Sequence, residues 1–322
     1  MSRAPRGRRS PGLGGAASVG AAALLAVAAL AGPFASSAFA YIQYQVVDQN
    51  TGLPTGVLIH WNRSCIDITS YPNDLTEMTP DQVQQAAAAA AATWSKGALA
   101  CTYLDVRVTA SFDATRASAA DPYNVLIFRN PWCDPSKPDE CQPEALAVTS
   151  VFAGRTTGII HDADIEVNTE NFVWGDLATQ PGAGKQDLQN ALTHEMGHLI
   201  GLDHDCYTPG SDKFRQTDNT GAPAPFCISA DATVQESTMF TKAEFGDLSK
   251  RTLAPDDQNA VCGIYPAAQD PNYCPPPGTV PADPVGCGCR VSAGTDPSAA
   301  LVVTGLLAAL AATRTRRRRP LG

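Results

Sequence analysis

Three of the chain's five histidines fall within eleven residues, and their spacing is that of metal ligands. Residues 194 to 204 read His-Glu-Met-Gly-His-Leu-Ile-Gly-Leu-Asp-His, which fills every fixed position of the pattern H-E-x-x-H-x-x-G-x-x-H. His194 and His198 are four residues apart, so on a helix they lie one turn apart on the same face. Glu195 projects beside them, where it can hold and deprotonate a water molecule.

The remainder of the motif brings a third histidine back to the same point. Gly201 allows the helix to end and the chain to turn sharply, because glycine tolerates a positive φ. His204 then returns as a third ligand, and three neutral imidazoles leave one position of a tetrahedral zinc ion open for water. We therefore predict a catalytic zinc site with His194, His198 and His204 as metal ligands and Glu195 as the catalytic general base.

On these residues the chain resembles the metzincin clan of zinc endopeptidases, which combine this motif with a later methionine turn. The one Met after the motif is Met239, which lies 35 residues past His204 in Glu-Ser-Thr-Met-Phe. In the clan this Met packs beneath the zinc ligands as an apolar floor, a role that suits a thioether; an ordinary core methionine is the alternative. The resemblance implies hydrolysis of peptide bonds in protein or peptide substrates.

Within the clan, the chain is most similar to the matrixins, especially to short bacterial ones. Residues 160–174 resemble the matrixin strand along the upper rim of the cleft, and residues 253–265 resemble the last helix of the matrixin catalytic domain. Asp205 follows the motif where matrixins usually have Ser and adamalysins have Asp, so the subfamily stays open. His60 and His161 are too few for a second, structural zinc site.

The resemblance also implies how a substrate is held. The edge strand near Asp164 to Asn168 would pair with the substrate backbone as an added strand. The loop from Phe240 to Leu253 would form the wall of the pocket that receives the first side chain after the scissile bond.

The predicted fold is α+β: a metzincin-like, zincin-like catalytic domain with a mixed twisted sheet, a long active-site helix and a mostly irregular lower half. Thr79 to Gln82 form a capping box, which predicts an Ala-rich helix to about Lys96. The active-site helix is expected from about Lys185 to Ile200, and the last helix from Pro255. Strands are predicted at residues 54–61, 102–109, 124–129, 146–152 and 163–168.

Both ends of the chain are expected to be targeting segments. Residues 1–40 have the basic start, apolar run and Ala-Phe-Ala cleavage site of a secretory signal. Residues 291–322 combine a short apolar run with an Arg cluster and, with the nearby Gly-Cys-Gly-Cys, resemble a C-terminal sorting tag of the myxobacterial type. A retained anchor is the alternative at either end. Between them we predict a short segment at 41–54, the catalytic domain at 55–266 and a Pro- and Cys-rich linker at 267–290.

The charge of the part between the tags is strongly negative. Residues 41–286 hold 13 Lys and Arg against 31 Asp and Glu, a net charge near −18. Such a surface argues against nucleic-acid binding and favours solubility outside the cell. Asp162, Asp164 and Glu166 could supply oxygen ligands for calcium, although a solvated strand face explains them equally well.

Ten cysteines are present, of which eight remain when the pair in the tag region is set aside. An even number in an exported protein predicts disulfides, and sequence cannot fix their connectivity. Pairing of neighbours predicts Cys65–Cys101, Cys133–Cys141, Cys206–Cys227 and Cys262–Cys274.

These observations together predict a zinc endopeptidase that is secreted or attached to the cell envelope, and that acts as a monomer. A non-catalytic, surface-displayed binding or adhesive protein with a metzincin fold is the alternative. Hydrolysis of a bond other than a peptide bond is a third possibility, which no further catalytic motif supports.

Overall fold

The computed structural model describes residues 40–136, 142–182 and 184–279, together with the backbone of residues 300–309. The described chain is α+β, as predicted. Its helices are α1 (Pro80–Thr93), α2 (Leu188–Leu199), α3 (Ala232–Gln235) and α4 (Pro255–Ile264). Its strands are β1 (Gln45–Val47), β2 (Pro54–Leu58), β3 (Cys65–Ser70), β4 (Asp105–Ala110), β5 (Asn124–Arg129), β6 (Ala145–Gly154), β7 (Ile160–Asn168), β8 (Trp174–Gly175), β9 (Gln186–Asp187), β10 (Lys242–Ala243) and β11 (Ala300–Ala309).

A five-stranded mixed sheet, in the order β6-β7-β5-β3-β4, forms the centre of the fold. Strands β4, β3, β5 and β7 run parallel, and β6 runs antiparallel to β7. Strand β11 lies antiparallel along the outer edge of β6, and the two residues of β10 pair in parallel with the far end of β11. The predicted mixed sheet is therefore present.

The prediction that Asp164 to Asn168 form the edge strand is wrong. These residues belong to β7, which pairs with β5 on one side and with β6 on the other. A strand with two partners has no free row of backbone groups to offer a substrate. The outer strands of the five-stranded sheet are β6 and β4, and β6 has β11 along its outer side.

The predicted helices are present, with shorter ends. Helix α1 starts at the capping box, in which Gln82 N–H donates to Thr79 Oγ1 at 3.3 Å and Thr79 N–H donates to Gln82 Oε1 at 2.9 Å. It ends at Thr93 rather than Lys96. Helix α2 starts three residues later than Lys185, because β9 first pairs with β8 and Asp187 then accepts the Asn190 N–H as N-cap.

Five of the described strands were predicted, each to within a few residues, and the other six were not. Strand β5 has the predicted bounds, and β2, β4, β6 and β7 overlap their predictions. The prediction missed β1, β3, β8, β9, β10 and β11. Strand β3 has the sequence Cys-Ile-Asp-Ile-Thr-Ser, in which buried Ile66 and Ile68 alternate with half-buried Asp67 and Thr69. This alternation is typical of a strand, but it is short.

Helices α1 and α2 pack against each other and against the sheet, which places α2 in the core. The small side chains of α1 allow close packing against α2, where the Trp94 indole N–H donates to Thr193 O at 2.8 Å. At the end of α2, the Trp61 indole donates to Leu199 O at 2.9 Å and the Tyr265 hydroxyl donates to Ile200 O at 2.6 Å. These bonds satisfy carbonyl groups that a helix end leaves unpaired.

The disulfides link segments that are far apart in the sequence, so two predicted pairings are wrong. Cys65 pairs with Cys274 and Cys101 with Cys262, over separations of 209 and 161 residues. Pairing of neighbours failed because the start of β3 lies beside the chain that follows α4, and the chain before β4 lies beside the end of α4. Cys206–Cys227 is confirmed. Cys133 is disulfide-bonded, and its predicted partner, Cys141, lies outside the described residues.

The segment between α2 and α4 is mostly irregular, as predicted, and contains only the short α3 and β10 among its regular α and β elements. In the part of the chain that the structure describes, no helix is long and apolar enough to cross a membrane. The predicted secretory signal lies outside the described residues apart from Ala40, and so does the predicted tag apart from β11.

Candidate metal centre

Helix α2 and the turn that follows it bring the three predicted histidines together. His194 and His198 lie one turn apart on the buried face of α2. Gly201 has a φ of +97°, and a Cβ there would lie 2.5 Å from Ile59 O, so only glycine fits this turn. The Gly201 N–H donates to His198 O and the Leu202 N–H to Gly197 O, which is the Schellman arrangement of a helix end.

The three histidines converge through one atom each. The distances between their Nε2 atoms are 3.1 Å for His194–His198 and 3.2 Å from each of these to His204. Nitrogens bound to one tetrahedral zinc ion at about 2.05 Å lie about 3.3 Å apart. The group could therefore hold a metal ion, and its dimensions fit zinc.

The second nitrogen of two of these rings faces a carbonyl oxygen. His194 Nδ1 lies 2.6 Å from Thr238 O, and His198 Nδ1 lies 2.8 Å from Leu202 O. A carbonyl accepts but does not donate, so each Nδ1 carries the proton and each neutral ring leaves Nε2 with a bare lone pair. Two lone pairs 3.1 Å apart repel one another unless a cation lies between them, and such outer carbonyls are usual partners of metal-bound histidines.

Burial keeps these two imidazoles neutral. Burial lowers the pKa of His198 to about 4, and burial followed by the nearby His198 and Lys250 charges lowers the pKa of His194 well below its ordinary value. Both rings are completely buried. At neutral pH they are therefore in the form that binds a metal ion.

Glu195 lies on the same helix, and a residue of β6 holds its carboxylate. The Thr149 hydroxyl donates to Glu195 Oε2 at 2.5 Å. Thr149 and Glu195 are both completely buried. The hydrogen bond ties the predicted base to the edge strand of the five-stranded sheet and restricts its rotamers.

Met239 packs directly against the helix that carries the ligands. Its Sδ would lie 2.2 Å from a Cβ added at Gly197, the residue just before His198. Trp94 closes the other side of this position, at 3.0 Å. The contact with Met239 thus explains the glycine at position 197. Met239 lies against the ligand-bearing helix, where an apolar floor was expected.

A buried lysine and two buried carboxylates hold the turn that contains Met239. Lys250 Nζ donates to the carbonyl oxygens of Ser237, Thr238 and Phe240 at 2.7 to 3.1 Å. Asp257 Oδ2 accepts the Thr238 N–H at 2.8 Å, and the Ser237 hydroxyl donates to Asp205. Because Thr238 O is the partner of His194, this network fixes the orientation of a ligand.

The carboxylates of this network form a second buried group. Asp205, Asp256 and Asp257 have ligand atoms within 4.8 Å of one another. Burial lowers the pKa of Lys250 to about 8, and the three carboxylates oppose that shift. Burial also raises the pKa of all three carboxyls. Asp205 and Asp257 hold the Met239 turn, and the three carboxylates together could also hold a metal ion.

Asp162, Asp164 and Glu166, predicted either to bind calcium or to form a solvated face, have other roles. Asp162 accepts the Asp121 N–H, and Asp164 accepts the N–H groups of Ala119 and Val125. Glu166 pairs with Arg129 at 3.1 Å. Both aspartates are buried, so they anchor the loop before β5, and calcium stays a prediction without support from these residues.

The sequence did not point to several residues around the centre. The Tyr44 hydroxyl lies 3.0 Å from His198 Nδ1, and its ring stacks on the imidazole. Thr149 and Lys250 were also missed. None of them has a fixed spacing to the motif, and only the buried setting of an otherwise exposed residue type, such as Lys250, distinguishes them.

Comparisons with known proteins leave the geometry as the basis for interpretation. No family model matches the chain, and no curated protein matches it.

Proposed function

We propose that the chain is a zinc-dependent endopeptidase of the metzincin type, most similar to the matrixins. The observation that supports this most directly is the convergence of three Nε2 atoms within 3.2 Å, beside a carboxylate on the same helix. Zinc is the proposed metal because three neutral imidazoles with one open position are its usual catalytic ligand set. His194, His198 and His204 would hold it.

The reaction is the addition of water to a peptide carbonyl, followed by loss of the amine. When bound, zinc supplies Lewis-acid chemistry, which acidifies water and polarises a carbonyl group. Glu195 takes the proton of the attacking water at Oε1 and returns it to the leaving nitrogen as the C–N bond breaks. Proton transfer at Oε1 leaves the Thr149 hydrogen bond to Oε2 in place, so the carboxylate keeps its orientation throughout.

The substrate would bind as an extended strand along β6. An edge strand supplies a row of backbone N–H and C=O groups, and an added peptide strand pairs with them whatever its side chains. The segment from Phe240 to Leu253 would form the wall of the pocket for the first side chain beyond the scissile bond. The Met239 turn fixes the start of this segment.

The proposed enzyme acts outside the cell as a monomer, either free or attached to the envelope through its C-terminal tag. Its disulfides suit an oxidising compartment. The acidic charge between the tags argues against nucleic acid as a partner. Its partners are then protein or peptide substrates, and calcium is a possible further ligand.

The test compares Glu195→Ala with the wild-type chain on casein, with and without a zinc chelator. Residues 291–322 are released from the folded, exported protein at an engineered cleavage site, so that the tag cannot interfere. We expect the variant to lose cleavage by about 10³-fold and to keep its zinc, because Glu195 is not a ligand. His198→Gln is the matched variant and should lose the metal as well.

Other outcomes lead to different conclusions. Equal cleavage by Glu195→Ala and wild type would rule out Glu195 as the base. A zinc-loaded wild-type protein that cleaves no protein or peptide would contradict the proposed function and favour the surface-displayed binding protein.

A further inference from the structure

Strand β11 occupies the strand position between β6 and β10, which we call the β6–β10 gap. Its partner β6 runs antiparallel to it from Ala300–Gly154 to Ala308–Ala145. On its other side, β10 pairs in parallel at Lys242–Ala308 and Ala243–Ala309. Strand β10 begins three residues after Met239, so the gap is bounded on one side by the edge strand and on the other by the Met239 segment.

The middle of β11 crosses the centre of the site. Gly305 is the register partner of Thr149, the residue whose hydroxyl holds the Glu195 carboxylate. Strand β11 also lies against α2, the helix that carries Glu195 and two of the histidines. The backbone of β11 therefore takes the path that an extended peptide would need in order to place a peptide bond next to Glu195.

The side chains of the site are buried to the extent expected when another segment covers them. A general base must reach both a water molecule and the scissile bond, yet Glu195 and His194 have no exposed surface. Strand β6 likewise has no unpaired edge along the length of β11. An uncovered edge of this length would leave a row of unpaired backbone groups, which proteins commonly cover or block.

We propose that residues 300–309 are an intramolecular occupant of the β6–β10 gap, and that they keep peptides out of the site until the tail leaves it. The inference rests on the proposed function, because it names the regulation of the same site. Twenty residues separate β11 from the end of the described domain at Thr279. Because β11 belongs to the same chain as the gap, its pairing with β6 is intramolecular and competes with substrate however dilute the protein is.

A strand that merely completes the sheet would show the same pairing, and the two roles differ in what its removal does. Loss of an integral strand would loosen the whole sheet. Loss of an occupant would expose only the edge it covers, and would leave β7, β5 and α1 as they were. The experiment must therefore read individual backbone amides as well as activity.

The test breaks β11 inside the full exported chain. Thr304→Pro combined with Gly305→Pro removes two consecutive backbone N–H groups. Successive N–H groups of a strand point to opposite neighbours, so one of the two lost groups faces β6. Ser292→Pro combined with Ala293→Pro, placed before the strand, is the matched control. Amide hydrogen exchange is measured without zinc in a Glu195→Ala background, so that the readout does not depend on turnover.

We expect the β6 amides to exchange at least about tenfold faster in the 304/305 variant, with β7, β5 and α1 unchanged and the 292/293 control like the parent chain. With Glu195 and zinc restored, casein cleavage should rise by at least about tenfold in the 304/305 variant only. Unchanged β6 exchange, or faster exchange throughout the sheet, would overturn the proposal. Selective exposure of β6 with no gain in cleavage would overturn it too.

Failure of this inference is distinguishable from failure of the proposed function. If the intact chain and the chain freed of residues 291–322 both cleave casein, and at the same rate, the protein is an endopeptidase whose tail does not block its site. If the freed chain cleaves nothing while its β6 amides become exposed, the proposed function fails and β11 is only a cover for the sheet edge.

Discussion

At the residue scale, two of the three histidines of the candidate metal centre are oriented by residues that are not ligands themselves. The Thr238 carbonyl orients His194, whereas His198 has two partners at Nδ1, the Leu202 carbonyl and the Tyr44 hydroxyl. Tyr44 is buried, and burial raises its pKa well above the ordinary value. The hydroxyl therefore stays neutral at any physiological pH and acts as a fixed dipole beside the ring.

We expect Tyr44→Phe to weaken zinc binding by about tenfold, the lower end of the usual effect of losing an outer partner of a ligand. The ring and its stacking on His198 remain, and only the contact of 3.0 Å with Nδ1 is lost. Competition with a chromophoric zinc chelator measures the affinity. Tyr41→Phe, in the same N-terminal segment, is the control and should bind zinc like the wild type. Unchanged affinity in Tyr44→Phe would reduce Tyr44 to a packing residue.

The four residues of the motif could be found from sequence because they occupy fixed positions within one helix and one turn. Tyr44, Thr149 and Lys250 could not, because each reaches the centre from a separate segment and is joined to it only by folding. A tyrosine near the start of a chain has no local feature that distinguishes it. The residues that could hold a metal ion could thus be predicted, and most of those that orient them could not.

At the element scale, β7 carries two buried carboxyls that face the loop before β5. Burial, followed by the charge of Asp164, raises the pKa of Asp162 to about 9, and burial raises the pKa of Asp164 to about 7. The folded protein therefore binds a proton at Asp162 over a pH range in which the unfolded chain has released it. In such a range the free energy of unfolding falls as the pH rises.

We expect Asp162→Asn to remove most of this pH dependence. Between about pH 5 and pH 8, where only the folded state holds this proton, the wild type should lose on the order of 4 kcal/mol relative to the variant. The substituted amide side chain keeps an oxygen that can accept the Asp121 N–H, now bonded to the Asp162 carboxyl at 3.0 Å. Urea unfolding at several pH values, in calcium-free buffer, measures the difference.

Asp113→Asn, an exposed aspartate in the same loop, is the control for this comparison and should follow the wild type. Parallel curves for wild type and Asp162→Asn would contradict the assignment of the slope to this carboxyl. If added calcium flattens the wild-type curve alone, the cation binds here and the calcium prediction gains a site.

The same strand shows why the order of the sheet could not be predicted from sequence. The resemblance to the matrixin rim strand placed β7 at the edge, and its alternating acidic residues are compatible with a solvated strand face. The acids are instead buried, because backbone N–H groups of residues 119–125 satisfy them. Which strand lies at an edge depends on partners far away in the chain, whereas strand positions and helix caps depend on local residues.

At the scale of the whole molecule, the site is assembled from segments that span most of the chain. The N-terminal segment supplies Tyr44, β6 supplies Thr149, α2 and its turn supply the motif, and the Met239 turn closes the floor. The Cys101–Cys262 disulfide joins the chain after α1 to α4, whose Asp257 holds the Met239 turn. Cys206–Cys227 acts more locally, on the chain that leaves His204.

The nesting of the disulfides determines how much each one stabilises the fold. While Cys65–Cys274 is intact, Cys101 and Cys262 are also connected through residues 65–101 and 262–274. Removing the inner bond therefore opens a loop of only about 50 residues, which predicts a loss of about 4 kcal/mol in the free energy of unfolding. For Cys206–Cys227, the separation of 21 residues predicts about 3 kcal/mol. We test this by guanidinium unfolding of paired Cys→Ser variants at 101/262 and at 206/227. A loss at 101/262 well below that at 206/227 would contradict the argument, since it would mean that the outer bond already holds α4 against the sheet.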